Sequence, residues 1–557
     1  MSQEENIESI LALEKQIEEG RGDIIKLKRA RNSLLNISTR IPPEILGQIF
    51  ASAVTMMDSI YAEELFKGDF AGVEKGSYNF LLVCHHWYEV ASNTPELWSF
   101  WGNTLPDWEA SCRRTGRAAP IDLVLDGFAT PPDGAISVTL KDALRDHADR
   151  DKIRKIHLMC RPYNTPANRI LSSLTGNGDP RKLGIESINL WIMEDTGPDT
   201  VSDFFAHSRL PKLRHLRIDG TIQPLFLGHL DSQTTRLTTL WLRLLGPSTS
   251  PPSALLSILA SNPGLQELTL FEAALPDEFD ESKDKVRLPQ LRSIDLAGSF
   301  HSILGLLDNL ELSAGLDCMD LIMKGCEVKD VLQTLGPYLQ DHFQRDTRYQ
   351  QGIGIFIAAD YRINFTVNLA SDSNQGMDFY PERTRPSTKF AVSLTRKPSG
   401  PEMDKLCLGL MGFLPREHVV SFDSLWWEAP PELFVEMPNL ETLSYRGLAC
   451  LSDGFLRSDP NGPHPSTKLF PSLRCLRLNT GRVGESGWEP LVRFLAQQKS
   501  NGRPVSFHLS LDSHLDLSWE DVKTIRGLAV EFSYCVRSQG RRIVSGTREE
   551  FEHWMSW

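Results

Sequence analysis

The chain is 557 residues long, too long for one compact core, which calls for several domains or a repeat array. Its 41% apolar and 24% charged residues are those of a folded chain, and a net charge of −13 argues against duplex nucleic acid as the main partner, since phosphate binding takes clustered Lys and Arg. Nine cysteines without a CxxC or a recurring spacing exclude a zinc framework or a disulfide scaffold, and no apolar run reaches the ~20 residues that span a bilayer.

The opening residues are polar and acidic rather than basic and then apolar, so no signal peptide is read there, and the expectation is a reduced cytoplasmic or nuclear protein. From residue 7 to 35, Ile10, Leu13, Ile17, Ile24, Leu27 and Leu34 fall at steps of three and four once Gly20 and Arg31 fill the gaps, which is a heptad seam. Gly20 and Gly22 weaken its middle, at ~1 kcal/mol each against Ala. Residues 1–40 are therefore read as a heptad-bearing helix. Two readings stand: weak dimerisation through residues 7–35, or a helix folded back on its own chain.

Residues 41–101 follow. Prolines 42 and 43 open a helix whose Ile45, Leu46, Ile49 and Phe50 form an apolar stripe. A second helix is expected over Phe80–Ala91, with Val83, Cys84, Trp87 and Val90 on one face and His85, His86 and Glu89 on others. Adjacent histidines project about 100° apart, so Cys84, His85 and His86 do not converge on one metal. Asn93, Thr94 and Pro95 end this helix, and Glu96, Leu97 and Trp98 close the module. A module this small leaves an apolar stripe over, which is a helix-in-groove docking surface.

These stretches resemble the F-box, most closely its fungal F-box-like variety: a Leu-Pro-x-Glu-Ile/Leu-Leu pattern, then Val-Cys-Arg-x-Trp, then Leu-Trp. Ile41 stands where the family has Leu, His85 where Arg is common, and an insertion of residues 51–79 lengthens the link. The resemblance implies docking onto the Skp-family adaptor of a cullin–RING (SCF-type) ubiquitin ligase. Carried over by position, Pro42, Leu46, Ile49 and Phe50 face the adaptor, and Val83, Cys84, Trp87, Leu97 and Trp98 build the module core or its contact rim.

The remainder, 102–557, repeats a Leu-x-x-Leu-x-Leu pattern. Its first positions are Ile153, Ile185, Leu213, Leu237, Leu265, Leu291 and Leu316, with Leu440 and Leu473 later. The spacing resembles that of leucine-rich repeats. Helices are expected over 200–207, 253–260, 302–310, 328–339 and 488–497. The gap of 124 residues between Leu316 and Leu440 is close to five units of 25, irregular, with strand-like patches and a hairpin through Ala359–Arg362. The expected fold class is α/β: an N-terminal helical F-box-like module, then a leucine-rich-repeat solenoid with parallel strands and helices on the convex side.

Leucines of such a strand face the helices, and the residues between them face the other way. That concave face is read as two columns, one through His157, Asn189, Arg217, Trp241, Thr269, Asp295, Asp320, Ser444 and Arg477, the other through Met159, Trp191, Asp219, Arg243, Phe271, Ala297, Ile322, Arg446 and Asn479. Exposed Trp191, Trp241 and Phe271 beside Arg217, Arg243, Asp295 and Asp320 have the composition of a protein-binding patch for an unknown protein substrate. No hydrolase elbow, zincin motif or phosphate-binding Gly-Lys loop occurs, so neither catalysis nor a cofactor is expected. The function expected is substrate recognition within a ubiquitin ligase; the alternative is a non-catalytic interaction scaffold outside one.

Overall fold

The computed structural model describes residues 41–52, 83, 85–98, 100–102, 120–126, 152–160, 171, 181–192, 199–220, 226–230, 236–245, 251–272, 274–276, 279, 285–312, 316–359, 363–369, 389–395, 400–424, 433–434, 436–446, 470–480, 488–511, 519–536 and 541–543, with Lys15, Gly20, Asp23, Ile24 and Lys26 near the start. Those five are helical and exposed, Ile24 at 54%. The rest of the heptad seam, the greater part of the 51–79 insertion, and Cys84 lie outside the described residues.

The chain divides into two compact units. The first comprises Met1–Leu237 with Leu244–Gly246. Its strands are β1 (Phe100–Gly102), β2 (Ile121–Asp126), β3 (Ile153–Cys160), β4 (Arg181–Lys182), β5 (Ser187–Ile192), β6 (Ser208–Arg209) and β7 (His215–Gly220). β1, β2, β3, β5 and β7 form one parallel sheet in that order, and β4 and β6 make a short parallel ladder beside it. The repeating pattern explains the packing. Ile153, Ile156 and Leu158, then Ile185, Ile188 and Leu190, then Leu213, Leu216 and Ile218 are all buried on one face. Helix Asp199–His207 lays Val201, Phe204 and Phe205 into this core, and Phe205 stacks on Phe226 at 5.4 Å. Gly220, at φ +138°, closes β7 where the backbone passes so near the Ile192 carbonyl that any Cβ would overlap it.

The second unit comprises Thr238–Arg243 and Pro247–Trp557. It holds β8 (Thr239–Leu244) save its last residue, β9 (Glu267–Glu272), β10 (Val286–Leu288), β11 (Ser293–Ser299), β12 (Leu310–Leu312), β13 (Cys318–Lys324), β14 (Ile353–Ala359), β15 (Ile363–Leu369), β16 (Lys389–Leu394), β17 (Val419–Ser424), β18 (Thr442–Arg446), β19 (Cys475–Thr480), β20 (Ser506–Leu511), β21 (Phe532–Val536) and β22 (Arg541–Ile543). From β9 the sheet runs β9, β11, β13, β16, β15, β14, β17, β18, β19, β20, β21, β22. Every pairing is parallel except those made by β15 and the terminal pair β21–β22. β10 and β12 form a separate parallel ladder.

The 124-residue gap is thus not five further helix–strand units. It holds a three-strand meander inserted in reverse order, so that β16 rather than β14 lies beside β13. The hairpin expected through Ala359–Arg362 is matched by the antiparallel pairing of β14 with β15, which ends with Ala359 opposite Ile363; residues 360–362 lie outside the described residues. Helices Pro252–Ser261, Phe300–Asp308, Gly400–Gly412, Glu489–Ser500 and Trp519–Leu528 alternate with the strands. The Ser299 hydroxyl caps the second of these, accepting from the Ser302 N–H at 3.1 Å. The helix that begins at Val328 passes through a π turn at Val331–Leu335 and continues over Gly336–Arg345. Pro337 enters that second segment in its first turn, and the missing N–H removes the bond that would have kept the ladder regular. No helix among the described residues is long and apolar enough to cross a membrane.

Candidate functional site

Among the described residues, the N-terminal module has three short pieces. Residues 43–52 are helical, starting at a proline, and the Leu46 N–H donates to the Pro42 carbonyl at 3.0 Å. The second helix is described over His85–Ser92, and Val83 lies in a turn ahead of it; residues 80–82 and 84, where the apolar period also predicts helix, lie outside the described residues. A 3₁₀ turn, Pro95–Trp98, closes the module.

Leu46, Phe50, Val90, Ala91, Leu97 and Trp98 form one buried cluster, with Ile41, Ala51 and Trp87 packed against it. Phe50 and Trp87 meet with ring centroids 4.9 Å apart. Trp98 donates its indole N–H to the Ala91 carbonyl at 2.8 Å, and Thr94 Oγ1 donates to the Val90 carbonyl at 2.7 Å. These two bonds fasten the closing turn to the end of the helix. Gly47 leaves space for Thr94, whose Oγ1 would lie 2.9 Å from a Cβ there.

This packing sorts the residues assigned to the adaptor surface. Leu46 and Phe50, expected to face a partner, are 2% and 3% exposed and point into the module's own core. Leu97 and Trp98 are likewise core, and Trp87 is half-buried against Phe50. Pro42 and Ile49 are exposed, as is Val83. The helix period explains the division: Leu46 and Phe50 are one turn apart on the inner face, while Ile45 and Ile49 are one turn apart on the outer face, at 46% and 49% exposed. Tyr88, also exposed, carries no sequence signal beyond its place beside Trp87. His85 forms an i,i+4 pair with Glu89 at 3.0 Å, and no group of His, Cys, Asp and Glu among the described residues is placed to hold a metal.

The residues expected on a target-binding face fall into two groups. In the first unit, His157, Asn189 and Arg217 stand in register across β3, β5 and β7, as do Met159, Trp191 and Asp219. Met159, Asn189 and Asp219 are buried and Trp191 is half-buried, so this face is more closed than an open concave surface. His157 Nδ1 lies 3.3 Å from the Asn189 amide nitrogen. Burial, with Lys155 and Arg217 adding and Asp122 opposing, lowers the His157 pKa to about 4, so the ring is neutral at pH 7. Buried Asp122 takes charge-assisted bonds from Arg154 at 2.8 Å and Lys155 at 3.3 Å.

In the second unit, Thr269, Asp295 and Asp320 align across β9, β11 and β13, and Phe271, Ala297 and Ile322 form the neighbouring row. Trp241 leans on Phe271 with centroids 5.9 Å apart, which leaves both rings half-buried rather than exposed. Arg243 is exposed, and Lys324 pairs with Glu272 at 2.9 Å beside the row.

No family model and no curated protein matches the chain.

Proposed function

We propose that the chain is a substrate-recognition subunit of a cullin–RING ubiquitin ligase: residues 41–98 dock a Skp-family adaptor, and the sheet faces hold a target protein. The observation that carries this reading is the outward pair Ile45 and Ile49, on a helix whose other face is locked into a core by Leu46 and Phe50. Large aliphatic residues one helical turn apart and nearly half exposed are the anchors of a helix-in-groove interface. The F-box-like pattern over the same residues supports the adaptor as the groove's owner. The action is proximity, holding target lysines near a conjugating enzyme carried by other subunits.

Co-purification with the adaptor tests this. Wild type is expected to retain it, and the double variant Ile45→Asp, Ile49→Asp to lose it with the melting temperature unchanged, since neither side chain belongs to the core. Wild-type protein that fails to retain the adaptor sinks the proposal.

A further inference from the structure

The entry to the reversed meander is fastened twice. A 3₁₀ turn, Thr347–Gln351, joins helix Gly336–Arg345 to β14. The first fastening is ionic. Buried Asp346 caps the turn, accepting from the Arg348 N–H at 3.0 Å and from the guanidinium Nε at 2.9 Å. The same guanidinium donates to the Leu316 carbonyl at 3.0 Å and pairs with Asp317, which ties the turn to the residues just ahead of β13. The second fastening is the Tyr349 hydroxyl. Tyr349 is fully buried, with its ring edge-on to Phe343 at 4.8 Å and to His342 at 5.5 Å. Its oxygen lies 3.3 Å from His342 Nε2, and no other hydrogen-bond partner for it occurs among the described residues.

A buried phenol that only accepted this bond would leave its own proton without an acceptor. The hydroxyl therefore donates, and Nε2 of a neutral ring accepts. A second proton on His342 goes to Nε2, so the bond must turn round and the phenol proton is stranded in the core. The nearby charges act in both directions. Burial is the largest influence on the ring and disfavours an imidazolium; Asp346 and Asp341 favour one and Arg348 opposes it, with the pKa left below the ordinary histidine value. Asp317 and Cys318 lie on the Tyr349 side. Of the other elements packed here, β15 carries no charged residue and β16, whose Phe390 meets the His342 ring at 6.5 Å, carries only Lys389. The 3₁₀ turn Arg416–His418 has Arg416 paired with Glu436, and His418 3.9 Å from Glu417.

We propose that His342 and Tyr349 form an acid-sensitive latch: the neutral pair holds the turn to helix Gly336–Arg345, and protonation of His342 releases the entry of β14 while Arg348 keeps the turn attached beside β13. The latch does not rest on the ligase reading. Its sign follows from linkage. With the folded pKa below the unfolded value of about 6.5, the fastening is complete above that pH and weakens as the pH falls below it. The ionic fastening persists through the same window. Burial alone would raise the Asp346 pKa, but the bonds from Arg348 outweigh it and hold that pKa below the ordinary carboxylate value.

Amide exchange of the full chain at pH 7.5 and pH 5.5, expressed as protection factors corrected for the intrinsic rate at each pH, tests the latch. In wild type, protection over 336–353 is expected to fall by up to about tenfold at the lower pH, with a smaller change in β18–β20. His342→Gln, which can accept from Tyr349 but takes up no proton, is expected to keep its protection at pH 7.5 and to show no local fall. Tyr349→Phe keeps the ring contacts and removes the hydroxyl; it is expected to be less protected than wild type at pH 7.5 and to show a smaller acid-induced fall. It also keeps the comparison readable if His342→Gln misfolds. Three results each overturn the latch: no local fall in wild type, a fall matched in β18–β20, or an undiminished fall in either variant.

Discussion

Single residues decide what each surface of this chain can offer. Ile45 and Leu46 are adjacent and equally apolar, yet one is 46% exposed and the other 2%. Sequence periodicity finds the stripe that contains both; only the position of Trp87 and Trp98 shows which edge of it is filled. His157 carries a consequence for stability. Its folded pKa of about 4 lies below the ordinary histidine value of 6.5. Between those two pH values the unfolded chain binds a proton that the folded chain refuses, so stability falls as pH is lowered through that window, by up to ~1.4 kcal/mol per pH unit. Urea unfolding at pH 7.5 and pH 5.5 is expected to show a smaller acid-induced loss for His157→Gln than for wild type. Equal losses would mean that the ring is more hydrated than its place among Lys155, Asn189 and Arg217 implies.

At the scale of elements, two helical glycines separate packing from propensity. Gly336 follows the π turn, and an added Cβ would lie 2.2 Å from the Phe413 ring. Gly527, in helix Trp519–Leu528, has nothing within 4 Å of such a Cβ. Alanine gains up to ~1 kcal/mol over glycine inside a helix, and overpacking costs ~1–3 kcal/mol. Gly527→Ala is therefore expected to stabilise and Gly336→Ala to destabilise; chemical denaturation of both reads the sign, and a stabilised Gly336→Ala would refute the close crossing. The same contrast marks what could be read beforehand. The Leu-x-x-Leu-x-Leu strands were legible because their three apolar positions must share one buried face, and the residues between them therefore align, as Asp295 does with Thr269 and Asp320. The order of β14, β15 and β16 was not, because alternation along a strand encodes which face is buried and says nothing of which neighbour it pairs or in which direction. Helix Gly400–Gly412 was missed for a related reason: three glycines and a proline in thirteen residues look like a loop until Gly409 is seen to admit Leu332.

Across the whole molecule, the arrangement of cores predicts how damage spreads. The cluster Leu46, Phe50, Val90, Ala91, Leu97 and Trp98 draws every member from residues 41–98. Leu443, Leu476 and Phe507, in register on β18, β19 and β20 of the second unit, are buried in a different core, Leu476 at 0%. Truncating a buried leucine costs ~2–5 kcal/mol, but that cost falls on whichever cooperative unit contains the cavity. A core with six described members has little stability to lose, whereas a sheet with twelve described strands from β9 to β22 shares the loss among many neighbours. On the proposed adaptor docking, Leu46→Ala is therefore expected to abolish adaptor retention and speed amide exchange over 43–52 and 85–98, with exchange in β17–β20 unchanged. Leu476→Ala is expected to do the reverse, loosening β18–β20 while the adaptor is retained. Exchange that rises in both regions after either substitution would show one cooperative unit, and loss of adaptor binding could then no longer be read as a property of the docking surface alone.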